Sequence, residues 1–197
     1  MPATLPHLLE IGPGSRPLVL SHWDEYDWQI FPNGIYTAIQ PSPSNTLFSF
    51  HPSFPESCLG LPGVTFIEDD LENHDFNGQT FDEVYAANVF SDPSAVNKRS
   101  MLKAIIEITS QGSLFTLYDT STPEYSVVNP EALERLFPGT FEPLVSIKVT
   151  EKSDDLLMGT ASEEWIEHVG PYSYHVRQAA EYDMGVLAGT FQQYVRL

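Results

Sequence analysis

Cysteine, long apolar runs and positive charge are all scarce in this chain of 197 residues. Cys58 is the single cysteine, which excludes an internal disulfide and a cysteine-rich metal site. No stretch approaches the roughly twenty apolar residues that a membrane-spanning helix needs. The first residues also lack the basic-then-apolar pattern of a secretory signal. We therefore expect a cytoplasmic protein.

Lysine and arginine are missing altogether between Arg16 and Lys98. The whole chain has 27 acidic residues against nine Lys and Arg, which gives a formal net charge of −18. Such a chain repels the phosphates of nucleic acids and of anionic membranes, so we expect neither as a partner. The acidic residues either keep the surface solvated or steer a cationic ligand or a basic protein towards it.

What the chain does have is enough apolar and aromatic residues for a globular domain. Hydrophobic residues make up 42% of the sequence and aromatic residues 12%, so a core of useful size can form. We predict a single domain over residues 1–197. Short apolar runs predict strands over 8–12, 35–39, 63–67, 81–87, 113–118, 141–150, 156–161 and 190–195.

Helix signals alternate with the predicted strands. Asp92-Pro93 predicts a helix start and Gln111-Gly112 its end. Asn129-Pro130 predicts a second, short helix that stops at residues 137–139, and a third helical segment covers roughly 173–188. The alternation predicts an α/β fold with a doubly wound, mostly parallel sheet of about seven strands and an antiparallel C-terminal strand or hairpin.

Proline punctuates the stretch between the second and third predicted strands. Residues 41–62 contain five prolines, which excludes a long helix there. We predict an ordered loop with at most one short helix. It serves either as a lid or as a rigid surface loop.

Two glycines follow the first predicted strand. Leu8-Leu9-Glu10-Ile11 runs directly into Gly12-Pro13-Gly14. A glycine turn at the end of a buried strand brings bare backbone close to whatever lies above the strand end. In open α/β sheets nucleotide-like ligands bind at that place.

Four segments in this order resemble a known family. They are Glu10–Gly14, Gly63–Leu71, Phe81–Val89, and Met101–Ile108 with its continuation Gln111–Leu114. Together they resemble the ordered motifs of class I S-adenosylmethionine-dependent methyltransferases, over roughly residues 8–120. The resemblance implies a cofactor-binding half over 8–120, and a substrate-side and C-terminal part over 121–197.

The same resemblance implies S-adenosylmethionine as the cofactor, and it assigns residues to it. Gly12 and Gly14 let the backbone approach the amino-acid portion, and Glu10 lies near the ammonium group. Asp70 and Leu71 contact the adenine. Asn88 faces the methionine end and the mouth of the substrate pocket.

The chain departs from the family at the ribose position and in its glycine turn. The family usually places an acid after the second strand, where this chain has Gln40, an amide that can bond a diol without the charge. Asp24 or Asp27 takes that role if the second strand lies earlier. The turn also lacks a third glycine, which argues against a dinucleotide-binding dehydrogenase.

The residues do not single out a catalytic group. A base is needed for a protonated acceptor, and Asp119 can face the pocket from the end of the fifth strand. We expect His7 to be structural and no metal to bind, because the acids and histidine of residues 69–74 are more typical of a solvated turn than of a ligand set. The remaining candidates for a base are His22, His51, His74, His168 and His175, the last within the pocket-closing segment 172–175.

We therefore predict methyl transfer from S-adenosylmethionine to a small-molecule acceptor. A cationic acceptor suits the acidic chain. The alternative is a methyltransferase-like scaffold without transfer activity. Such a scaffold is either a protein-binding module, with a basic partner or a second copy of itself, or a repurposed cyclase or isomerase.

Overall fold

A computed structural model provides the coordinates used for this protein. It describes residues 6–13, 17–21, 35–41, 56–90, 97–119, 128–149 and 189–197.

Seven strands and three helices lie within these residues. The helices are α1 (Leu18–Ser21), α2 (Lys98–Ile108) and α3 (Pro130–Leu136), and a 3-10 turn covers Glu56–Cys58. The strands are β1 (His7–Ile11), β2 (Ile35–Gln40), β3 (Val64–Glu68), β4 (Phe81–Ala87), β5 (Thr109–Asp119), β6 (Phe141–Val149) and β7 (Gly189–Arg196).

The strands form one sheet in the order β3-β2-β1-β4-β5-β7-β6. The first five strands pair in parallel. β7 pairs antiparallel with both β5 and β6. This confirms the predicted α/β class, the mostly parallel sheet of seven strands and its antiparallel C-terminal strand. The chain order reverses between β1 and β4, and this switch point is where open α/β sheets bind ligands.

Both faces of the sheet are buried. Alternate residues of β1 enter two separate apolar clusters, with Leu9 in one and Leu8 in the other. The first cluster includes Leu102 and Ile105 of α2, and the second includes Leu18 of α1. Burial on both faces explains why the adjacent residues Leu8 and Leu9 of β1 are both apolar.

Helix α2 ends earlier than its glycine predicts. Gly112 does not cap the helix, because the chain is already extended at Thr109 (φ −112°, ψ 145°). The Thr109 hydroxyl donates to the Ile105 carbonyl at 2.7 Å and closes the last turn. Gly112 instead has φ +87° within β5, where the register against β4 shifts after Phe81. The helix begins at Lys98, and the predicted cap Asp92-Pro93 lies outside the described residues.

Helix α3 confirms its predicted start and end. The Asn129 side chain accepts a hydrogen bond from the Ala132 amide at 2.8 Å, and Pro130 occupies the first turn. The Phe137 amide donates to Leu133 and ends the helix.

The C-terminal strands also match the sequence. The strands predicted over 141–150 and 190–195 are confirmed as β6 and β7. The predicted strand 156–161, the helix 173–188 and most of the proline-rich loop lie outside the described residues. Within the described part of the chain, no helix is long and apolar enough to cross a membrane.

Candidate functional site

The carboxyl ends of the parallel strands meet at one edge of the sheet, which we call the carboxyl edge. Backbone hydrogen bonds tie neighbouring strand ends together there. The Gly12 amide donates to Ile39 at 2.8 Å, and the Asp69 amide donates to Gln40 at 3.0 Å. The Asn88 amide donates to Tyr118 at 2.7 Å. The structure therefore brings the described sequence-predicted residues to one region, at the position that the fold reserves for ligands.

Gly12 occupies the turn directly after β1. Its φ of +65° lies in the left-handed region, which favours glycine. A Cβ atom at this position would meet Cγ2 of Val89 at 3.0 Å. The backbone is thus exposed at the carboxyl edge, and a side chain at this position would require Val89 to shift. The second predicted glycine, Gly14, lies outside the described residues.

Val89 is a neighbour of the site to which sequence reasoning gave no role. It follows Asn88, which has φ +58°, a conformation uncommon for residues other than glycine. This strained turn after β4 presents Val89 to the β1 turn. An apolar residue after a strand end carries no distinctive signal, so only the three-dimensional structure identifies the contact.

Glu10 is buried in the sheet below Gly12, with only 1% of its surface exposed. Its carboxylate accepts a hydrogen bond from the Leu18 amide at 2.7 Å and another from the Tyr36 hydroxyl. Burial raises the pKa of Glu10 to about 8, although both hydrogen bonds oppose the shift. These contacts fasten the start of α1 and the second strand to β1. Contact between Glu10 and a cofactor ammonium group stays a prediction.

Tyr36 is the second residue that the sequence did not indicate. It lies on β2 opposite Leu8 and reaches the carboxylate of Glu10. Tyr85 pairs with Glu10 from the other side, on β4. Burial, followed by the charge of Glu10, raises the pKa values of both phenols well above the ordinary value. Both tyrosines are therefore neutral at physiological pH. Side chains alternate between the two faces of a strand, so once the sheet order is known this alternation places Tyr36, Glu10 and Tyr85 on the same face of the sheet.

Gln40 ends β2 beside Glu68 of β3. Only 6% of its surface is exposed, and its backbone carbonyl accepts a hydrogen bond from the Asp69 amide. Its predicted role at the ribose stays a prediction. The two acids considered in its place, Asp24 and Asp27, lie outside the described residues.

The two residues predicted at the adenine lie in the turn after β3 but differ in exposure. Asp70 is half-buried, and its carboxylate accepts from the Asn73 amide nitrogen at 3.3 Å. Leu71 is 4% exposed and packs into the core cluster with Phe76. Asp70 therefore offers the more accessible surface at this turn, and Leu71 fixes the turn to the core.

The side chains of Asp69 and His74 are joined by a hydrogen bond in the same turn. Nδ1 of His74 lies 3.0 Å from Oδ2 of Asp69. The hydrogen bond from His74 lowers the pKa of the exposed Asp69 carboxyl. In the part of the chain that the structure describes, no three potential metal ligands converge, here or elsewhere.

Asp119 ends β5 at the same edge and is 5% exposed. It pairs with Thr190 of β7. The predicted histidines at 22, 51, 168 and 175, with the segment 172–175, lie outside the described residues, so the catalytic base stays open.

His7 lies at the opposite edge, where β1 begins. Its backbone amide donates to Asp82 at 2.7 Å, and its ring lies 2.9 Å from the Thr37 hydroxyl and 4.4 Å, between centroids, from Phe81. Burial lowers the pKa of His7, and Asp82 partly opposes that shift. The histidine fastens strands together, as predicted, and has no place in the candidate site.

The comparison with known proteins gives no sequence relative. No family profile matches the chain, and no curated protein matches it either.

Solved structures, in contrast, resemble the chain over 97–98% of its length in several cases. The [4+2]-cyclase SpnF superposes with a TM-score of 0.56 at 15% identity, covering 98% of this chain and 76% of SpnF. The N-methyltransferase NodS from Bradyrhizobium japonicum gives 0.55 at 9% identity, covering 98% and 86%. Haemonchus contortus phosphoethanolamine N-methyltransferase 2 gives 0.54 at 14% identity, covering 98% and 49%, so the chain spans about half of that enzyme.

The sheet order and these superpositions define the class of fold. The chain has the fold of the class I S-adenosylmethionine-dependent methyltransferases. At these identities the likeness extends to the fold alone.

Proposed function

We propose that this protein transfers a methyl group from S-adenosylmethionine to a small-molecule acceptor. The observation that carries the proposal is the position of Gly12. On a sheet of methyltransferase order, its bare backbone lies at the carboxyl end of β1, where a Cβ would make a tight contact with Val89 at 3.0 Å. A turn built in this way suits the close approach of a ligand to the backbone.

The residues at the carboxyl edge fit the chemistry of this cofactor. S-adenosylmethionine has a sulfonium and an ammonium group, and the edge offers Asp69, Asp70 and Asp119. Between Arg16 and Lys98 the sequence has no lysine or arginine to oppose them. Acidic surroundings of this kind raise the local concentration of a cation. Two of the similar structures, NodS and the Haemonchus enzyme, were solved with S-adenosylhomocysteine.

Each matched residue then has a definite role. Gly12 admits the amino-acid portion of the cofactor, and Gln40 bonds the ribose diol through its amide. Asp70 accepts from the adenine amine beside Leu71. Asn88 holds the methionine end next to the acceptor, and Glu10 keeps the Gly12 turn in place through Leu18 and Tyr36. When bound, the cofactor supplies an electrophilic methyl group, and the chain supplies position.

The acceptor class follows from charge. An alkylamine, which is protonated and therefore cationic in free solution, is drawn to the acidic edge and becomes a nucleophile on losing its proton. The names of the two N-methyltransferases among the similar structures agree with an amine. A phenolic acceptor is the second class to test. We further propose that the reaction takes place in the cytoplasm.

A second function is favoured by one specific likeness. SpnF, which is named as a [4+2]-cyclase, has the same fold, so this architecture also supports chemistry other than methyl transfer. The non-enzymatic alternative is that the protein acts as a scaffold and binds a basic protein or a second copy of itself.

A product assay separates these functions. The protein is incubated with S-adenosylmethionine and panels of amines and phenols, and mass spectrometry follows S-adenosylhomocysteine and the acceptor. Methyl transfer yields both S-adenosylhomocysteine and a methylated acceptor. A cyclase or isomerase yields a product of unchanged mass from its substrate, and a binding scaffold yields no product.

A further inference from the structure

A second concave surface lies on the outer side of α2. This groove has a volume of about 530 Å³, within the range of roughly 300–1,000 Å³ that is typical of small-molecule sites. Its lining residues come from α2 and from the connection between α3 and β6. They are Arg99, Ser100, Lys103, Ile106, Glu107, Phe137 and Thr140.

The groove is separate from the carboxyl edge. Helix α2 ends at Ile108, directly before β5 begins, so its last turn lies at the opposite edge of the sheet. Thr140 immediately precedes β6, which runs parallel to β5 because both strands pair antiparallel with β7. The groove therefore extends towards the edge where β5 and β6 begin, away from Gly12.

The floor of the groove is apolar and rests on the core. Ile106 and Phe137 are partly buried and pack against the main core cluster. The carbonyl of Thr140 accepts a hydrogen bond from Arg196 at 3.1 Å, which holds that wall to the end of β7. The surface is thus supported by the fold and needs no rearrangement to be present.

The rim carries positive charge that is scarce elsewhere in the chain. Three of the nine Lys and Arg, namely Lys98, Arg99 and Lys103, belong to α2. Lys103 lies 3.6 Å from Glu107, and both side chains are mostly exposed. Arg99 forms no ion pair with any residue in the described ranges, although the chain has three acids for every base.

Helix stability does not account for Lys98 and Arg99. Both lie in the first turn of α2, which contains no acidic residue. Positive charge at a helix N-terminus opposes the helix dipole and costs stability.

We propose that the groove binds an anionic amphipathic small molecule. Its carboxylate, sulfonate or phosphate lies between Arg99 and Lys103, and its apolar body covers Ile106 and Phe137. A small ligand suits the site better than an acidic protein or a second copy of the chain, because repulsion by a net charge of −18 grows with the charge of the partner.

The test uses 8-anilinonaphthalene-1-sulfonate, an aromatic sulfonate whose fluorescence reports binding. The probe is titrated into the wild-type protein, into Arg99→Gln, into Lys103→Gln, into the double variant Arg99→Gln/Lys103→Gln, and into Arg135→Gln. Arg135 is exposed on α3 and does not line the groove, so its substitution matches the loss of one positive charge in each single variant. We expect the dissociation constant to rise about tenfold or more in the double variant and to stay within about twofold in the control.

Two further readouts locate the site and define the ligand class. Amide chemical shifts in a 15N-labelled sample should move at Arg99, Ser100, Lys103, Phe137 and Thr140 on addition of the probe, and decanoate should displace the probe whereas acetate should not. Equal affinity of the double variant and the control would overturn the proposal. So would shift changes confined to other residues, displacement by acetate, or displacement only by an acidic peptide.

Discussion

Gly12 is the residue on which the candidate site most depends. Its φ is positive, and a Cβ added at this position would contact Val89 at 3.0 Å, so any side chain here is disfavoured. Gly78 has a similar φ of +76° but has open space around it. It also precedes β4 and so lies at the other edge of the sheet. The two glycines share a backbone requirement and differ in what surrounds them.

Gly12→Arg should therefore abolish binding of S-adenosylhomocysteine, whereas Gly78→Arg should leave it unchanged. Both variants should lose about 1–2 kcal/mol of stability from the left-handed backbone, and Gly12→Arg should lose more than Gly78→Arg because its Cβ also meets Val89. Calorimetric titration of the two variants measures ligand binding, and thermal unfolding measures their stability. Normal binding by Gly12→Arg would mean that the site lies elsewhere.

Glu10 should make folding stability depend on pH. Its pKa is about 8 in the folded protein against an ordinary value of 4.5. Between these values the unfolded chain binds fewer protons than the folded one, so stability falls as pH rises, by at most about 1.4 kcal/mol per pH unit. The stability that depends on a neutral Glu10 is fully present below pH 4.5 and is lost above about pH 8.

Glu10→Gln should remove this slope. The amide oxygen can still accept from Leu18 and Tyr36, and the side chain cannot ionise. Urea unfolding at several pH values should show that the variant gains stability relative to the wild type from pH 4.5 to 8. Parallel pH profiles for the two proteins would contradict the burial of an uncharged Glu10.

At the scale of elements, the N-cap of α3 offers a direct test. Asn129 accepts from the Ala132 amide at 2.8 Å, and the helix is only seven residues long. Asn129→Ala should lower the free energy of unfolding by about 1 kcal/mol, as measured by urea denaturation. Asn129→Asp should retain most of the wild-type free energy of unfolding, because aspartate is also a favoured N-cap residue. Equal losses in both variants would show that the side-chain cap contributes nothing.

Local sequence signals predicted some element ends and not others. Asn129-Pro130 marks its helix start locally, because the capping side chain of Asn129 and the Ala132 amide that donates to it are three residues apart. Gly112 misleads, since the same positive φ serves a helix cap and a strand irregularity. The choice depends on β4, which precedes it by some thirty residues. Sequence reasoning identified β1, β4 and β7 closely, because a glycine at or near one end bounds each of these short segments.

At the scale of the whole molecule, the sheet order required more than local pattern. The alternation of strands and helices predicts parallel strands, but the sequence Thr190–Val195 does not indicate that β7 lies between β5 and β6. The strand–helix alternation predicted the fold class, the glycine turn predicted the ligand site, and the family resemblance added the cofactor and the residues assigned to it. The contacts of Glu10 with Tyr36, and of Gly12 with Val89, join distant strands and emerge only when the sheet is assembled.

Net charge acts at this scale as well. A formal charge of −18 attracts a cationic cofactor at long range and repels anions, so both effects weaken as salt is added. The basic rim of α2 is the local exception, and it lies away from the carboxyl edge.

The most direct test of the proposed function is calorimetric titration of the wild-type protein with S-adenosylmethionine and S-adenosylhomocysteine. We predict one site per chain with micromolar affinity for both ligands, and weaker binding of S-adenosylmethionine at high salt because its extra positive charge is screened. Absence of binding at millimolar ligand would leave the methyltransferase fold intact and contradict the methyltransferase function.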